Sequence, residues 1–300
     1  MRRKTFNALA LAVVMSSGWM TAAHAEAPVL VHVHGLSFSA DGKKLMVPSH
    51  VGLAVYEGGK WTKAPGPAHD YMGYSGTRDA LYSSGHPAPG SGLANPFGLI
   101  KSTDGGNTWQ KLGFEGESDF HTMTAGYGTN TVYVLNPQPN SRMDSAGLYS
   151  TRTDGKRWQR AQARGLIGQV NALAAHPADP AVVAAATDAG LYLSRDAGTS
   201  FTLLDGKQRV LYATFDQNGN QLWYSGFDKK PVLSTISLAG DAKSKPVSLP
   251  PLPQDAVSYI AQNAVQPGEV AIATFKRNVF VSKDGGRNWT QIAKEGAPSA

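Results

Sequence analysis

One octapeptide recurs along this chain of 300 residues. Residues 102–109 read STDGGNTW, and residues 282–289 repeat the pattern as SKDGGRNW. Residues 194–201, SRDAGTSF, form a looser copy that ends in phenylalanine instead of tryptophan. Two remnants, residues 151–158 and 56–61, also end in tryptophan. Such a recurrence predicts an architecture built from equivalent units.

The aromatic residue that closes each copy gives the number of units. It stands at positions 61, 109, 158, 201 and 289, so the successive steps are 48, 49, 43 and 88 residues. The last step equals two steps of 44, which indicates one unit without the marker. Six units of roughly 40 to 50 residues match the four-stranded blades of a β-propeller. We therefore predict an all-β fold, with a single six-bladed β-propeller over residues 26–300.

The turn residues support this prediction. The chain holds 33 glycines and 18 prolines, which implies frequent turns and few long helices. The first unit is expected to form strands over residues 32–38, 44–48, 52–56 and 60–63. Because the first and last units both look complete, we expect the ring to close without strand exchange between the termini.

The octapeptide also carries a resemblance to known families. Its form, Ser/Thr-x-Asp-x-Gly-x-x-Trp, resembles the Asp-box, or BNR repeat, of sialidases, xyloglucan hydrolases, sortilin-type receptors and photosystem II assembly factors. The resemblance implies Asp-box hairpins between the third and fourth strands of the blades. Residues 32–36, 69–73 and 85–98 further resemble exported bacterial BNR-repeat proteins labelled glycosylhydrolases, within the sialidase-like superfamily.

The first residues predict an export signal. Residues 2–4 are basic, residues 8–15 are apolar, and residues 23–25 have the small-x-small form that signal peptidase cleaves. We expect a signal peptide over residues 1–25 and a mature chain from Glu26 that is periplasmic or secreted. No later stretch approaches the roughly 20 apolar residues that a membrane span needs.

Composition excludes several classes of site and partner. Cysteine is absent, which rules out disulfides, thiolate metal ligands, a cysteine nucleophile and a lipid-modified N-terminal cysteine. The formal charge of +6 includes three basic residues of the signal peptide. The rest of the chain has no basic run longer than Lys229-Lys230, so we expect no nucleic-acid partner. We expect a monomer that uses no organic cofactor.

The histidines form the most informative pattern. Of eight, six lie in the first three units: His32, His34, His50, His69, His86 and His121. In a propeller, the segment before each innermost strand and the loop between the second and third strands open onto one face. His50 and His86 fall in such loops and the other four at or before innermost strands, so all six should share one end of the channel. His176 should occupy a structural turn at the other end.

A transition-metal site is the first functional interpretation. A histidine-rich site with a thioether nearby and no thiolate suits copper first and zinc second. The preferred ligands are His34, His50, His86 and His121, with His32, His69 and Met72 as alternates, and Asp70 or Asp119 would orient them. The pattern does not decide between His32 and His34, because a slip of one residue reverses which side chain faces the channel. The competing interpretation is that these histidines hydrogen-bond backbone groups at the ends of blades.

Two further functions stay open. A glycoside hydrolase of the sialidase-like superfamily would use Asp70 and Asp119 as its catalytic carboxylates, which start neighbouring blades on the same face. Sialidases also need three arginines at the channel, and only Arg209, Arg142 and Arg164 could reach it. A recognition or assembly module without chemistry would instead bind a glycan, a small ligand or an envelope protein. Its contacts would be two long loops, residues 84–97 and 136–146.

Overall fold

The computed structural model describes residues 28–240 and 243–299. The predicted signal peptide, residues 1–25, and the predicted start at Glu26 lie outside this range. Every regular element in the described residues is a β-strand, which confirms the all-β prediction. These residues contain no helix long and apolar enough to cross a membrane.

The strands form six antiparallel sheets, one for each predicted unit. Blades 1 and 2 consist of β1 (Ser37–Phe38), β2 (Lys44–Ser49), β3 (Gly52–Glu57), β4 (Lys60–Lys63), β5 (Asp70–Gly76), β6 (Leu81–His86), β7 (Leu99–Ser102) and β8 (Gln110–Gly113). Blades 3 and 4 consist of β9 (Met123–Ala125), β10 (Val132–Asn136), β11 (Gly147–Thr151), β12 (Gln159–Arg160), β13 (Val170–Ala175), β14 (Val183–Thr187), β15 (Gly190–Ser194) and β16 (Thr202–Asp205). Blades 5 and 6 consist of β17 (Arg209–Phe215), β18 (Gln221–Asp228), β19 (Lys230–Ser237), β20 (Ser244–Pro246), β21 (Val257–Gln262), β22 (Val270–Thr274), β23 (Val279–Ser282), β24 (Thr290–Lys294) and β25 (Ala297–Pro298).

The first strand of each blade lies next to a central axis. These inner strands contact one another in sequence, and β1 contacts both β5 and β21, so the six blades form a closed ring. Each blade takes its four strands from one continuous stretch of chain, without strand exchange, and β25 adds a short fifth strand to blade 6. The predicted six-bladed β-propeller is therefore confirmed.

Apolar packing between neighbouring sheets holds the ring together. The buried apolar side chains fall into six clusters, one at each interface between adjacent blades. The cluster between blades 1 and 6 closes the ring, and there the indole N–H of Trp61 donates to the carbonyl of Ile292 at 2.8 Å. The Asn263 amide likewise donates across the same interface to the carbonyl of Gly42 at 2.8 Å. Removal of apolar surface from water at all six interfaces provides the main driving force for closure.

The octapeptide forms the hairpin between the third and fourth strands, as its pattern predicts. In the first copy, the Ser102 hydroxyl donates to Asp104 and accepts the N–H of Gly106, each at 2.8 Å. The Asp104 carboxylate accepts the backbone N–H of Thr108 at 2.9 Å. The copies at Ser194 and Ser282 repeat these hydrogen bonds. The motif therefore satisfies buried backbone groups of the turn with its own side chains.

The inner strand of blade 1 is shorter than predicted. Residues 32–38 were expected to be extended, but β1 contains only Ser37 and Phe38. His32 itself, whose φ of 57° lies in the left-handed region, is excluded from an extended strand. The segment between His32 and β1 therefore runs irregularly at the end of the channel.

Four of the other inner strands carry a β-bulge near their start. The register shifts by one residue in blades 2, 4, 5 and 6. The extra residues are Met72, Asn171, Leu211 and Ser258. A bulge redirects the neighbouring side chains and ends regular pairing. These bulges therefore reshape the end of the channel where the histidines were predicted.

Candidate functional site

Histidines and aspartates from the first three blades meet at one end of the channel. His34 precedes β1, His50 lies in the turn between β2 and β3, and His86 ends β6. Asp70 begins β5 opposite His86 in the ladder, while Asp119 and His121 lie in the segment before β9. The structure thus brings the four preferred ligands to the same face, and divides them into two clusters.

The first histidine cluster consists of His34, His50 and Asp70. The Nε2 atom of His34 lies 3.8 Å from Asp70 Oδ1, and that of His50 lies 3.9 Å from Asp70 Oδ2. The two imidazole rings stack with centroids 4.7 Å apart and planes 7° from parallel. One ligand atom from each of the three residues lies within 4.8 Å of the other two. These three atoms therefore have the separation that a shared metal ion requires.

The environment of His34 keeps its imidazole neutral. Burial, with a smaller contribution from the neighbouring His50 and His32, lowers the pKa of His34 to about 4. A neutral imidazole keeps a lone pair for a metal ion.

Two polar atoms of the first cluster are buried and unsatisfied. His34 Nε2 and Asp70 Oδ1 have no hydrogen-bond partner, and the His34 side chain is only 13% exposed. A buried polar atom without a partner costs about 1 to 3 kcal/mol. An arrangement that sustains two such atoms side by side is typical of a binding site whose partner completes it.

The structure also distinguishes His32 from His34. His34 lines the cavity at the end of the channel, whereas His32 lines a separate cavity beside Phe275 and Arg277. The exposed His32 ring stacks on His50 at a centroid distance of 4.5 Å. His34 therefore faces the channel, and His32 packs against the outer side of the first cluster.

The second histidine cluster consists of His86, Asp119 and His121. His86 Nε2 and His121 Nδ1 each lie 3.1 Å from Asp119 Oδ2. Both contacts are as short as a hydrogen bond, but neither has the angles of one. Burial raises the pKa of Asp119, an effect that His121 and His86 partly offset.

One glycine allows the two clusters to approach each other. Gly85 has a φ of 148°, and a Cβ atom there would lie only 2.1 Å from the carbonyl oxygen of Asp70. Any other residue would push β5 away from β6 between Asp70 and His86. The backbone of blade 2 therefore depends on glycine at this point.

His69 and Met72 lie outside both clusters. The His69 side chain packs against Tyr71 and Phe97, and its Nδ1 accepts the backbone N–H of Ala88 at 2.9 Å. Burial lowers the pKa of His69, which favours the neutral imidazole. Because Nδ1 accepts a hydrogen bond, the proton of this neutral ring is on Nε2. Met72 is the half-buried extra residue of the bulge in β5. His69, one of the predicted alternate metal ligands, therefore holds the loop after β6 instead of joining either cluster.

A cavity of about 230 Å³ opens between the clusters and the opposite blades. Its lining includes His34 and His121, one from each cluster, together with Asn171 and Arg209. In the described part of the chain, the Arg209 guanidinium has no hydrogen bond or ion pair and is free to meet a ligand. Arg142, by contrast, donates to the carbonyls of Leu112 and Gly155 and is not free.

Sequence reasoning missed two features of the site. The bulge residues Asn171 and Ser258 line the cavity, but nothing in the hydrophobic alternation marks a bulge. Asn95 supports the second cluster, with its Oδ1 atom 2.7 Å from His86 Nδ1. The long loop over residues 84–97 was the one signal that pointed to Asn95.

The opposite face holds the structural elements, as predicted. His176 Nδ1 accepts the backbone N–H groups of Ala178 and Asp179, and its Nε2 pairs with the carbonyl of Gly219 at 3.1 Å. With both nitrogens occupied, His176 fastens the turn between β13 and β14. This histidine is structural, unlike those at the other end.

No protein-family model and no curated protein sequence matches this chain. Solved structures do match, among them a GH74 enzyme of Niastella koreensis, with a TM-score of 0.60 and 14% identity over 89% of this chain and 46% of that one. This chain thus spans about half the length of that enzyme. YCF48 bound to D1 peptide matches with a TM-score of 0.55 and 17% identity, over 91% of this chain and 85% of that one.

A third likeness is to the hydrazine synthase of Kuenenia stuttgartiensis, with a TM-score of 0.55 and 12% identity. It covers 88% of this chain and 80% of that one. These proteins differ widely in what they do, so the predicted Asp-box and sialidase-like membership stays a prediction. At these identities the likeness shows the β-propeller fold alone.

Proposed function

We propose that this propeller binds a divalent transition metal ion at the first histidine cluster, copper first and zinc second. The observation that carries the proposal is the grouping of His34 Nε2, a His50 nitrogen and an Asp70 oxygen within 4.8 Å of one another. Ligands that share one ion at about 2.0 to 2.2 Å lie about 3 to 4 Å apart. The separations of 3.8 and 3.9 Å fall in that range.

The chemistry of the donors supports the same assignment. Two imidazoles and a carboxylate suit zinc or copper(II) and would leave a further coordination position for water or another ligand. The neutral state of His34 supplies a lone pair without prior loss of a proton. With the predicted signal peptide, the protein would hold its metal in the periplasm or outside the cell.

Calorimetric titration of the protein, without a polyhistidine tag, with Cu(II) and Zn(II) tests this proposal. His34→Gln, His50→Gln and Asp70→Asn should each weaken binding at this cluster by about 10- to 100-fold or more. His176→Gln removes an imidazole from the opposite face and serves as the matched control, with unchanged affinity expected. Equal affinity in wild type and His34→Gln would refute the proposal, provided that circular dichroism shows both to be folded.

A second candidate function is glycoside hydrolysis by Asp70 and Asp119. It is favoured by one observation, the raised pKa of Asp119 beside a second carboxylate, since a general acid must stay protonated near neutral pH. The likeness to a GH74 enzyme is compatible with it. Release of a chromophore from aryl glycosides by wild type but not by Asp119→Asn would support hydrolysis; release that is unchanged in Asp119→Asn would exclude this pair.

A further inference from the structure

Large apolar side chains are exposed unevenly on the two faces of the propeller. Among the residues that the structure describes, eight such side chains are exposed, and six of them lie on the face of the histidine clusters. These six are Val29, Val31, Val51, Ile167, Phe227 and Phe275. Val265 lies on the opposite face, in the turn between β21 and β22. Single exposed apolar residues are ordinary, but their concentration on one face indicates an interaction surface.

The two phenylalanines occupy corresponding turns of neighbouring blades. Phe227 lies at the turn between β18 and β19 of blade 5, and Phe275 at the turn between β22 and β23 of blade 6. Their side chains are 45% and 64% exposed. Residues 227–230 read FDKK and residues 275–277 read FKR, so two cations follow each phenylalanine within three residues. We call these two segments the aromatic tips.

Both aromatic tips place a cation where the backbone favours glycine. Lys229 has a φ of 57° and Arg277 a φ of 62°, in the left-handed region that strains any residue with a side chain. Within the described part of the chain, neither side chain makes a hydrogen bond or an ion pair. No contact inside the fold therefore accounts for a long basic side chain at either turn.

The charge around the aromatic tips is positive. Three further exposed cations lie beside them on the same face: Lys207, Arg209 and Lys294. Asp228 and Glu295 are the exposed acidic residues of this sector of the described chain, while Asp205 and Asp255 are buried. Tyr224 and Asn278 hydrogen-bond these two buried carboxylates. With all four acidic residues counted against seven cations, this sector has a net charge of +3.

A bilayer with anionic headgroups has the chemistry that matches this surface. Aromatic side chains favour the boundary between headgroups and acyl chains, and anionic headgroups attract lysine and arginine near the surface. The tips are turns at the same end of the ring, so both can meet one flat surface at once. Two projecting turns suit such a surface better than they suit a groove on another protein.

We propose that the aromatic tips bind the surface of an anionic lipid bilayer. Phe227 and Phe275 enter the headgroup region, and the cations of both tips lie against the lipid phosphates. Two phenylalanines alone give only weak and reversible attachment, so binding also requires the charges and weakens as salt screens them. The inference does not depend on the proposed metal site, whose residues lie in blades 1 and 2.

Sedimentation of the protein with large lipid vesicles tests this inference. Wild type should bind vesicles of equal parts phosphatidylglycerol and phosphatidylcholine about tenfold or more tightly than phosphatidylcholine alone. The double variants Phe227→Ser, Phe275→Ser and Lys229→Gln, Arg277→Gln should each weaken that binding about tenfold or more. Val265→Ser removes a 57% exposed apolar side chain from the opposite face and serves as the matched control, with unchanged binding expected.

Several results would overturn the inference. Wild type that does not sediment with anionic vesicles, or that binds neutral vesicles equally well, excludes recognition of anionic lipid without any variant. A phenylalanine double variant that binds like wild type, and that circular dichroism shows to be folded, excludes the aromatic tips. Capture of a polyglutamate peptide without vesicle binding would assign the surface to an acidic protein partner instead.

Discussion

His34 Nε2 lies 3.8 Å from Asp70 Oδ1, and neither buried atom has a hydrogen-bond partner. Two buried polar atoms that face each other without a hydrogen bond destabilise the metal-free protein. The same pair becomes favourable when a cation lies between them. The arrangement of the first histidine cluster therefore lowers the stability of the metal-free fold and favours metal binding, a trade-off that is common at functional sites.

Asp70→Asn should separate these two effects. The uncharged amide can donate to or accept from His34 Nε2 and removes a half-buried charge, so the free energy of unfolding should rise by about 1 kcal/mol in EDTA. Metal affinity at the first cluster should fall, because the anionic ligand is gone. Urea denaturation and calorimetry on the same preparation measure both quantities. A less stable variant that binds metal as tightly as wild type would contradict the account.

The stability of the metal-free protein should depend on pH through His34. Its pKa is about 4 in the folded state and 6.5 when unperturbed. As the pH falls from 6.5 to 4, the unfolded chain takes up a proton at this position before the folded chain does, so stability declines. His34→Gln removes this contribution and should decline less, by on the order of 1 kcal/mol after allowance for solvent screening.

Urea denaturation in EDTA at several pH values between 7 and 4 measures that difference. Because all other titrating groups are common to both proteins, the difference between the two curves isolates His34. Parallel curves over this range would show that His34 titrates normally in the folded protein.

The variant His69→Phe should show whether His69 holds the loop after β6 or binds the metal ion. Phenylalanine can still pack against Tyr71 and Phe97, but it leaves the Ala88 N–H without its acceptor. We expect a loss of about 1 to 2 kcal/mol in the free energy of unfolding, with metal affinity of the first cluster within about twofold of wild type. Calorimetry that shows loss of this affinity in a folded variant would make His69 a ligand.

Ser102→Ala should destabilise the fold without affecting the site. The substitution leaves the buried N–H of Gly106 without its acceptor and removes a donor to Asp104, at a cost of about 1 to 3 kcal/mol. The hairpin lies on the face opposite the clusters, so metal affinity should not change. Thermal unfolding and metal titration of the variant check the two expectations. A change in metal affinity with an unchanged melting temperature would contradict the separation of the two faces.

The fold could be predicted from sequence because the octapeptide marks equivalent hairpins. Ser102, Ser194 and Ser282 make the same local hydrogen bonds, and local bonds leave a local pattern. The shared face of the histidines followed from blade topology in the same way. The division into two clusters did not, because it depends on contacts between blades that are distant in sequence.

The finer geometry depended on local irregularities that the alternation of residues does not show. The first inner strand begins only at Ser37, after an irregular segment that includes the left-handed residue His32, and His34 in this segment lines the cavity. The bulges at Asn171 and Ser258 redirect side chains into the cavity. Asp70 and Asp119 were expected to orient ligands or to catalyse, yet each lies at the centre of its cluster.

Anomalous diffraction from crystals grown with Cu(II) tests the central claim most directly. We predict a copper peak about 2.0 to 2.2 Å from His34 Nε2, from a His50 nitrogen and from an Asp70 oxygen. A map of the folded protein at saturating copper that shows no peak among these three residues would contradict the account, whatever other positions the metal occupies.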